Sequence, residues 1–230
     1  MIEESPFLTI RRNFPRPDPA KVAALKGVQS GIAVDCLMGS GALHHTVKPM
    51  TSSMSPAFTG VAVTCDCGPA DNLAVFAALD LCRPGDVVMI RTGDHLACAV
   101  IGDMVAGMYS NAGAVGMVTD GAVRDVTGID EAGVPCFAAA VSPNSPARGG
   151  PGTAGLPIVM GGVPVDSGDV IVADADGVTV VPQGRLHEVV ARLPVVLAAE
   201  KELEAKVKSG LVVPDFAREI LDGECVREVD

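Results

Sequence analysis

Between Gly60 and Ala140 the sequence switches repeatedly between short β-branched runs and stretches with helical spacing, and this alternation narrows the fold more than any other feature. A β-branched run at residues 61–64 precedes an amphipathic helix expected over 72–82 and led by Asp71. Pro84–Gly85 turns the chain into a strand at 87–91. A helix at 103–111, a strand at 114–119, a turn at Asp120–Gly121, a short helix near 125–132 and a strand at 135–140 follow. Such alternation favours α/β architecture around a buried, partly parallel sheet.

The pattern changes after Ser142. A Gly- and Pro-rich loop at 143–155 leads into four short apolar runs at 156–160, 163–165, 170–173 and 178–181. Turn signals at Gly161–Gly162, at 166–169 and at Asp176–Gly177 separate them, which predicts an antiparallel or mixed β layer. A long charged helix is expected at 185–208 and a short one near 215–221. At the other end, residues 1–17 lack periodicity and read as an arm. Asp18 then offers an N-cap and Pro19 a first helical residue, with Gly27 as the stop. A second helix is expected at 31–38, and residues 39–55 read as a loop bordering a cleft. No linker is long enough to divide the chain, so one domain is expected over 18–210, with an arm before it and a helical tail at 211–230.

Composition excludes several functions. Aromatics are 3% of the chain against 48% apolar residues overall, so the core must be aliphatic and stacked-base recognition lacks its platforms. A net charge of −11 leaves no basic stripe to neutralise phosphates, and no nucleic-acid partner is expected. No run approaches the roughly 18 apolar residues that span a bilayer, so no membrane partner is expected either. Glu3, Glu4 and Pro6 interrupt any signal-peptide pattern, and the seven cysteines form no Cys-x-x-Cys pair. Reduced thiols and a cytoplasmic location are the expectation.

Three segments carry candidate chemistry. Gly102-Asp103-Met104-Val105 opens a helix, where free first-turn amides favour a carboxylate or phosphate. Asp103 alone would also serve as a simple N-cap. Asp120-Gly121-Ala122-Val123-Arg124-Asp125 follows a strand, and ligands gather at the carboxyl ends of strands in α/β sheets. Arg124 can fork onto a carboxylate and stabilise an enolate oxygen. Asp125 offers a hard oxygen ligand to Mg²⁺, which uses few protein carboxylates. On the long helix Glu200, Glu202 and Glu204 alternate with lysines as on a solvated face, although one Glu at a subunit interface would reach a neighbour's site. His44, His45 and His95 lie in loops as further candidates for substrate contact.

Together with Asp169-x(4)-Asp174-x-Asp176-Gly177, these segments resemble the family of 4-hydroxy-4-methyl-2-oxoglutarate and 4-carboxy-4-hydroxy-2-oxoadipate aldolases, which also contains the RraA-type regulators of ribonuclease E. The resemblance runs from about Ser30 to Gly210 and is most specific at residues 114–125, preceded by Gly102-Asp103. It implies a single swivelling β/β/α-type domain assembled as a homotrimer or homohexamer, with active sites between subunits. It further implies that Arg124 and the Met104 and Val105 amides after Gly102 hold a pyruvyl group. By the same resemblance Asp125 binds Mg²⁺ or Mn²⁺ directly, and Asp103 and a neighbour's Glu, best matched by Glu200, hold metal-bound water. The expected reaction is retro-aldol cleavage of a 4-hydroxy-2-oxo acid to pyruvate, with oxaloacetate decarboxylation as a side activity. No lysine falls in a buried segment, which argues against a Schiff base. The alternatives are a protein-binding regulator of an RNA-processing enzyme and a related lyase on another 2-oxo acid.

Overall fold

The computed structural model describes residues 6–50 and 55–229; part of the expected arm, with Glu3 and Glu4, and residues 51–54 of the expected loop lie outside them. In chain order the elements are β1 (Leu8–Ile10), α1 (Pro19–Ala24), α2 (Ser30–Cys36), β2 (Lys48–Pro49), β3 (Phe58–Asp66), α3 (Leu73–Leu81), β4 (Asp86–Arg91), β5 (Ala99–Ile101) and α4 (Asp103–Asn111). There follow β6 (Gly116–Thr119), β7 (Ala122–Val123), α5 (Val126–Ala132), β8 (Cys136–Ala138), β9 (Ala140–Val141), β10 (Gly152–Ala154) and β11 (Ile158–Met160). The chain ends through β12 (Val163–Val165), β13 (Val170–Asp174), β14 (Gly177–Val181), α6 (Leu186–Lys208) and α7 (Asp215–Leu221). This is a mixed α/β fold with a long C-terminal helix, as the alternation implied.

Strands β3, β4, β6 and β8 run parallel as the centre of the large sheet, and β2 pairs antiparallel with β8 at one side. Along β4, Val88 and Ile90 enter one core while Val87 and Met89 enter another, so both faces are covered. That is the condition under which parallel sheets are stable. Helices α3, α4 and α5 pack on the first face. The β11–β12 hairpin and the Phe58–Phe137 pair close the second. On its other side β3 serves two partners: β13 pairs with its first half and β10 with its last two residues, both antiparallel. A third core joins α1, α2 and the start of α6 to β13 and β14.

Local signals account for several element ends. The Asp18 carboxylate accepts the Ala20 amide at 2.9 Å and starts α1, and Gly27 takes the left-handed φ of +77° after it. Asp71 does the same for α3 by accepting the Leu73 amide at 2.8 Å.

Two expectations needed correction, and the expected arm is docked: β1 pairs parallel with β10, and Arg16 binds Asp86 through two hydrogen bonds of 2.6 and 2.8 Å. Three residues are too few for strand alternation to show in a sequence. Helix α3 is buried nearly all round, with Ala74, Val75, Ala77, Ala78 and Leu81 covered, so it is not amphipathic. The run at 135–140 is two strands, because the Ala139 amide bonds to the Gly121 carbonyl at 3.0 Å and hands the chain to a second sheet. That sheet holds β5, β7 and β9, all parallel. No disulfide joins the cysteines, and no helix among the described residues is long and apolar enough to cross a membrane.

Gly116 lies under the Phe58 ring, and a Cβ there would come within 2.6 to 2.7 Å of three ring atoms. The ring is itself held edge-on to Phe137 at 5.6 Å between centroids. Gly116→Ala is expected to cost about 1–3 kcal/mol by overpacking. Urea denaturation should show a lower midpoint at unchanged slope.

Candidate active site

The small parallel sheet builds the site. Ala99 pairs with Ala122 and Ile101 with Val123, and the Arg124 amide donates to the Ile101 carbonyl at 3.1 Å. Residues 102–103 and 124–125 therefore leave their strands side by side, at the carboxyl ends. Gly102 is the contact point: a Cβ there would lie 2.8 Å from Asp125 Oδ2 and 3.1 Å from Arg124 Cγ. Asp103 follows directly as the first residue of α4 and rests against α5, where a Cβ on Gly128 would come within 2.6 Å of Asp103 Cβ. Two segments separated in the sequence thus become one cluster of a guanidinium and two carboxylates.

Asp125 sits in the left-handed region at φ +54°, unusual for a residue with a side chain. Its carbonyl accepts the Ile129 amide at 2.9 Å, but its carboxylate makes no capping bond to α5. The carboxylate turns back instead, with Oδ2 at 3.2 Å from Arg124 Nε. Both side chains remain accessible, 38% for Arg124 and 47% for Asp125, so a ligand can reach them. The Asp103 carboxylate accepts the Met104 amide at 2.7 Å, which removes that amide from the expected pair of anion donors. Among the described residues the Val105 amide has no acceptor, and it remains at the first turn of α4 as a donor. The Met104 side chain points outward and is exposed.

Three supports escaped the sequence reading. Asp120 is buried and accepts from the Thr92 amide at 2.6 Å, the Thr92 hydroxyl at 3.0 Å and the Asp94 amide at 3.3 Å. It thereby ties the turn after β4 to the end of β6. Burial pushes its carboxyl above the ordinary range despite those donors. Gly128 leaves room for Asp103; a glycine inside a helix costs about 1 kcal/mol relative to alanine, which was the available signal. Ser145 receives a hydrogen bond from Arg124 Nη1 at 2.5 Å and carried no signal, because it lies in an aperiodic loop.

Other candidates stand apart from this cluster. Asp169 accepts the Asp166 and Gln183 amides, while Asp174 accepts the Ser30 amide and hydroxyl at 2.7 Å each and so anchors the start of α2. Asp176–Gly177 makes the β13–β14 turn. The Asp169 and Asp174 carboxylates are committed to structure. His44 and His45 are exposed, with ring centroids 4.1 Å apart and planes tilted by 42°, and His95 is half-buried beside Thr92. Glu200, Glu202 and Glu204 lie on the exposed half of α6. Glu202 pairs with Lys206 and Glu204 with Lys208, whereas Glu200 makes no ion pair among the described residues. A cavity of about 860 Å³ opens near Lys26, Phe58, Gly85 and Pro135, at the amino ends of the parallel strands and away from Arg124.

The donor set fits a hard divalent cation. Asp125 and Asp103 flank Gly102 with carboxylate oxygens, and one chain supplies no group of three or more metal ligands among the described residues. Mg²⁺ is held by one or two carboxylates and keeps several waters, so two carboxylates suit it better than a metal requiring a full protein cage.

This mixed α/β fold presents Gly102-Asp103 and Arg124-Asp125 together at the carboxyl edge of a three-stranded parallel sheet. The chain belongs to the RraA-like family, aldolase/RraA, whose model matches residues 32–180. A protein of Halalkalibacterium halodurans with the provisional name 4-hydroxy-4-methyl-2-oxoglutarate aldolase is 37% identical over 158 residues, covering 69% of this chain and 74% of that one. Streptomyces coelicolor RraAS2, described as an unusual member of the RNase ES inhibitor RraA family, superposes with a TM-score of 0.72 at 28% identity, over 83% of this chain and all of that one. An uncharacterized Pseudomonas syringae protein shares the fold with a TM-score of 0.74 at 22% identity, over 86% of this chain and 97% of that one.

Two expectations follow. Gly128→Ala should displace Asp103, since the added Cβ would lie 2.6 Å from Asp103 Cβ, and cost about 1–3 kcal/mol by overpacking while α5 still folds; thermal denaturation reads this. Asp120 has a folded value raised above its unfolded one, so its contribution is complete below about pH 3.9 and declines as pH rises through the folded value. Asp120→Asn should remove that decline, seen as a flatter curve of unfolding free energy against pH above 4.

Proposed function

We propose that this protein is a divalent-metal-dependent lyase that cleaves a 4-hydroxy-2-oxo diacid or triacid to pyruvate and a second oxo acid. The observation that carries the reading is the meeting of Arg124 and Asp125 at Gly102, with Asp103 the next residue in the chain. In the retro-aldol step the C3–C4 bond breaks, its electrons pass to the C2 carbonyl, and the 4-hydroxyl loses its proton as the second carbonyl forms. Arg124 binds the 2-oxo acid carboxylate and sets its fixed charge beside the oxygen that becomes an enolate. The Val105 amide adds a donor at the positive end of α4. Asp125 and Asp103 would hold Mg²⁺ or Mn²⁺, which supplies a Lewis-acid sink for the enolate charge. A carboxylate at the 4-hydroxyl would accept its proton, and Glu200 of a neighbouring copy in a homotrimer or homohexamer is the candidate. No lysine is buried among the described residues, and Lys48 is engaged with the Asp176 carbonyl, which supports this route over a Schiff base. Loss of CO₂ from oxaloacetate makes the same demand on the sink and is proposed as a side activity.

The test is pyruvate release from 4-hydroxy-4-methyl-2-oxoglutarate, 4-carboxy-4-hydroxy-2-oxoadipate and oxaloacetate, coupled to lactate dehydrogenase. Pyruvate should appear from at least one hydroxy acid, stop on chelation with EDTA and return with Mg²⁺. Arg124→Ala should lower turnover about 10²–10³-fold with the fold intact. The match to RraAS2 favours a second reading, a regulator of an RNA-processing enzyme through protein contacts. Folded, metal-loaded protein releasing no pyruvate from any of the three would favour that second reading.

A further inference from the structure

We propose that Ser145 is a positioning residue whose hydroxyl holds the Arg124 guanidinium in the orientation that receives a substrate carboxylate. The inference rests on the reading of Arg124 as the carboxylate-binding group. A guanidinium carries five N–H donors in a rigid plane. In this structure Nε faces Asp125 Oδ2 at 3.2 Å and one Nη1 hydrogen is given to Ser145 Oγ at 2.5 Å. The Ser145 hydrogen bond fixes the terminal end of the group at Nη1 and leaves Nη2 for an anion. The Asp125 contact is an ion-pair distance at Nε and does not by itself set the plane.

An exposed serine would be a poor support if its loop moved, but the backbone on both sides of Ser145 is tied down. Before it, the Ser142 amide donates to the Val123 carbonyl at 2.9 Å, next to Arg124 itself. The Ser142 hydroxyl and the Asn144 side-chain amide both donate to the Ala97 carbonyl, at 3.1 and 2.8 Å, and the Ala99 amide donates to the Asn144 carbonyl at 2.9 Å. After it, the Ala147 amide donates to the Ala70 carbonyl at 2.7 Å. The Gly149 and Gly150 amides close on Asp71 Oδ2 at 2.6 and 3.1 Å. Pro146 restricts Ser145 to extended backbone from the other side. Residues 142–144 thus hang from the strands that carry the site, and residues 147–150 from the start of α3. Ser145 lies between these anchors with its hydroxyl directed at Arg124.

The test is binding of oxalate, a two-carbon dicarboxylate shaped like the pyruvate enolate, measured by calorimetry on the full chain with Mg²⁺ in excess. Wild type should bind, Arg124→Ala should lose binding, and Ser145→Ala should weaken it about tenfold, with Ser145→Thr restoring it and all four melting alike. Wild-type affinity in Ser145→Ala, failure of Ser145→Thr to restore a loss, or no binding by wild type would each overturn the proposal. A second measurement needs no variant: in the wild type the Arg124 guanidinium should give resolved, slowly exchanging ¹⁵N–H signals, and rapid averaging would also overturn it. Pyruvate release is scored separately. Oxalate binding that depends on Ser145, without turnover of any hydroxy acid, would sink the aldolase reading and leave this one standing.

Discussion

The pairing of three very short strands, β5, β7 and β9, is the interaction on which the site depends. Each contributes only two or three residues, yet their parallel alignment brings Gly102, Arg124 and Ser142 to one edge. Parallel strands need a crossover between them, and here the crossovers are α4 with β6 and then α5 with β8. The small sheet is therefore held in place by the large one, whose two buried faces supply most of the apolar burial. The Ala139 amide bond to the Gly121 carbonyl is the point at which the chain passes from the large sheet to β9.

Close approach is the second constraint. Gly102 and Gly128 are the places where α4 and α5 touch through the site, and a methyl group at either would displace a carboxylate. Asp125 accepts a left-handed backbone so that its carboxylate returns to Gly102 rather than capping α5. A non-glycine residue at such a φ costs of order 1 kcal/mol or more and persists when the surroundings over-determine it. The surroundings here are the ion pair to Arg124 and the Ile129 hydrogen bond.

Acidic residues in this chain divide by what they accept. Asp71, Asp120, Asp169 and Asp174 each take two or more N–H or O–H donors and are spent on fixing turns and helix starts. For Asp71 and Asp174 the donors outweigh burial and hold the carboxyl below the ordinary range. For Asp120 and Asp169 burial prevails and the carboxyl is raised. Asp125 and Asp103 differ in keeping carboxylate oxygens open to a ligand, which is what a cation site requires.

Much was legible locally, because adjacent residues report their own chemistry. Helix starts at Asp18 and Asp71, the glycine turns, the strand–helix alternation and the Gly102-Asp103 and Arg124-Asp125 pairs all depend on neighbours within a few positions, where sterics and hydrogen bonding act directly. Burial of α3 on all sides, the docking of β1 on β10 and the split between β8 and β9 were not legible, since each is decided by contacts with distant chain. The same holds for the commitment of Asp174 to Ser30 and of the Met104 amide to Asp103. Ser145 is the clearest case: twenty-one residues separate it from Arg124, and only the hydrogen bonds to Val123, Ala97 and Asp71 bring the two together. The sequence by itself determined which charged groups this protein has available. The tertiary structure alone decided which of them meet, because strand pairing, not chain proximity, sets the distances.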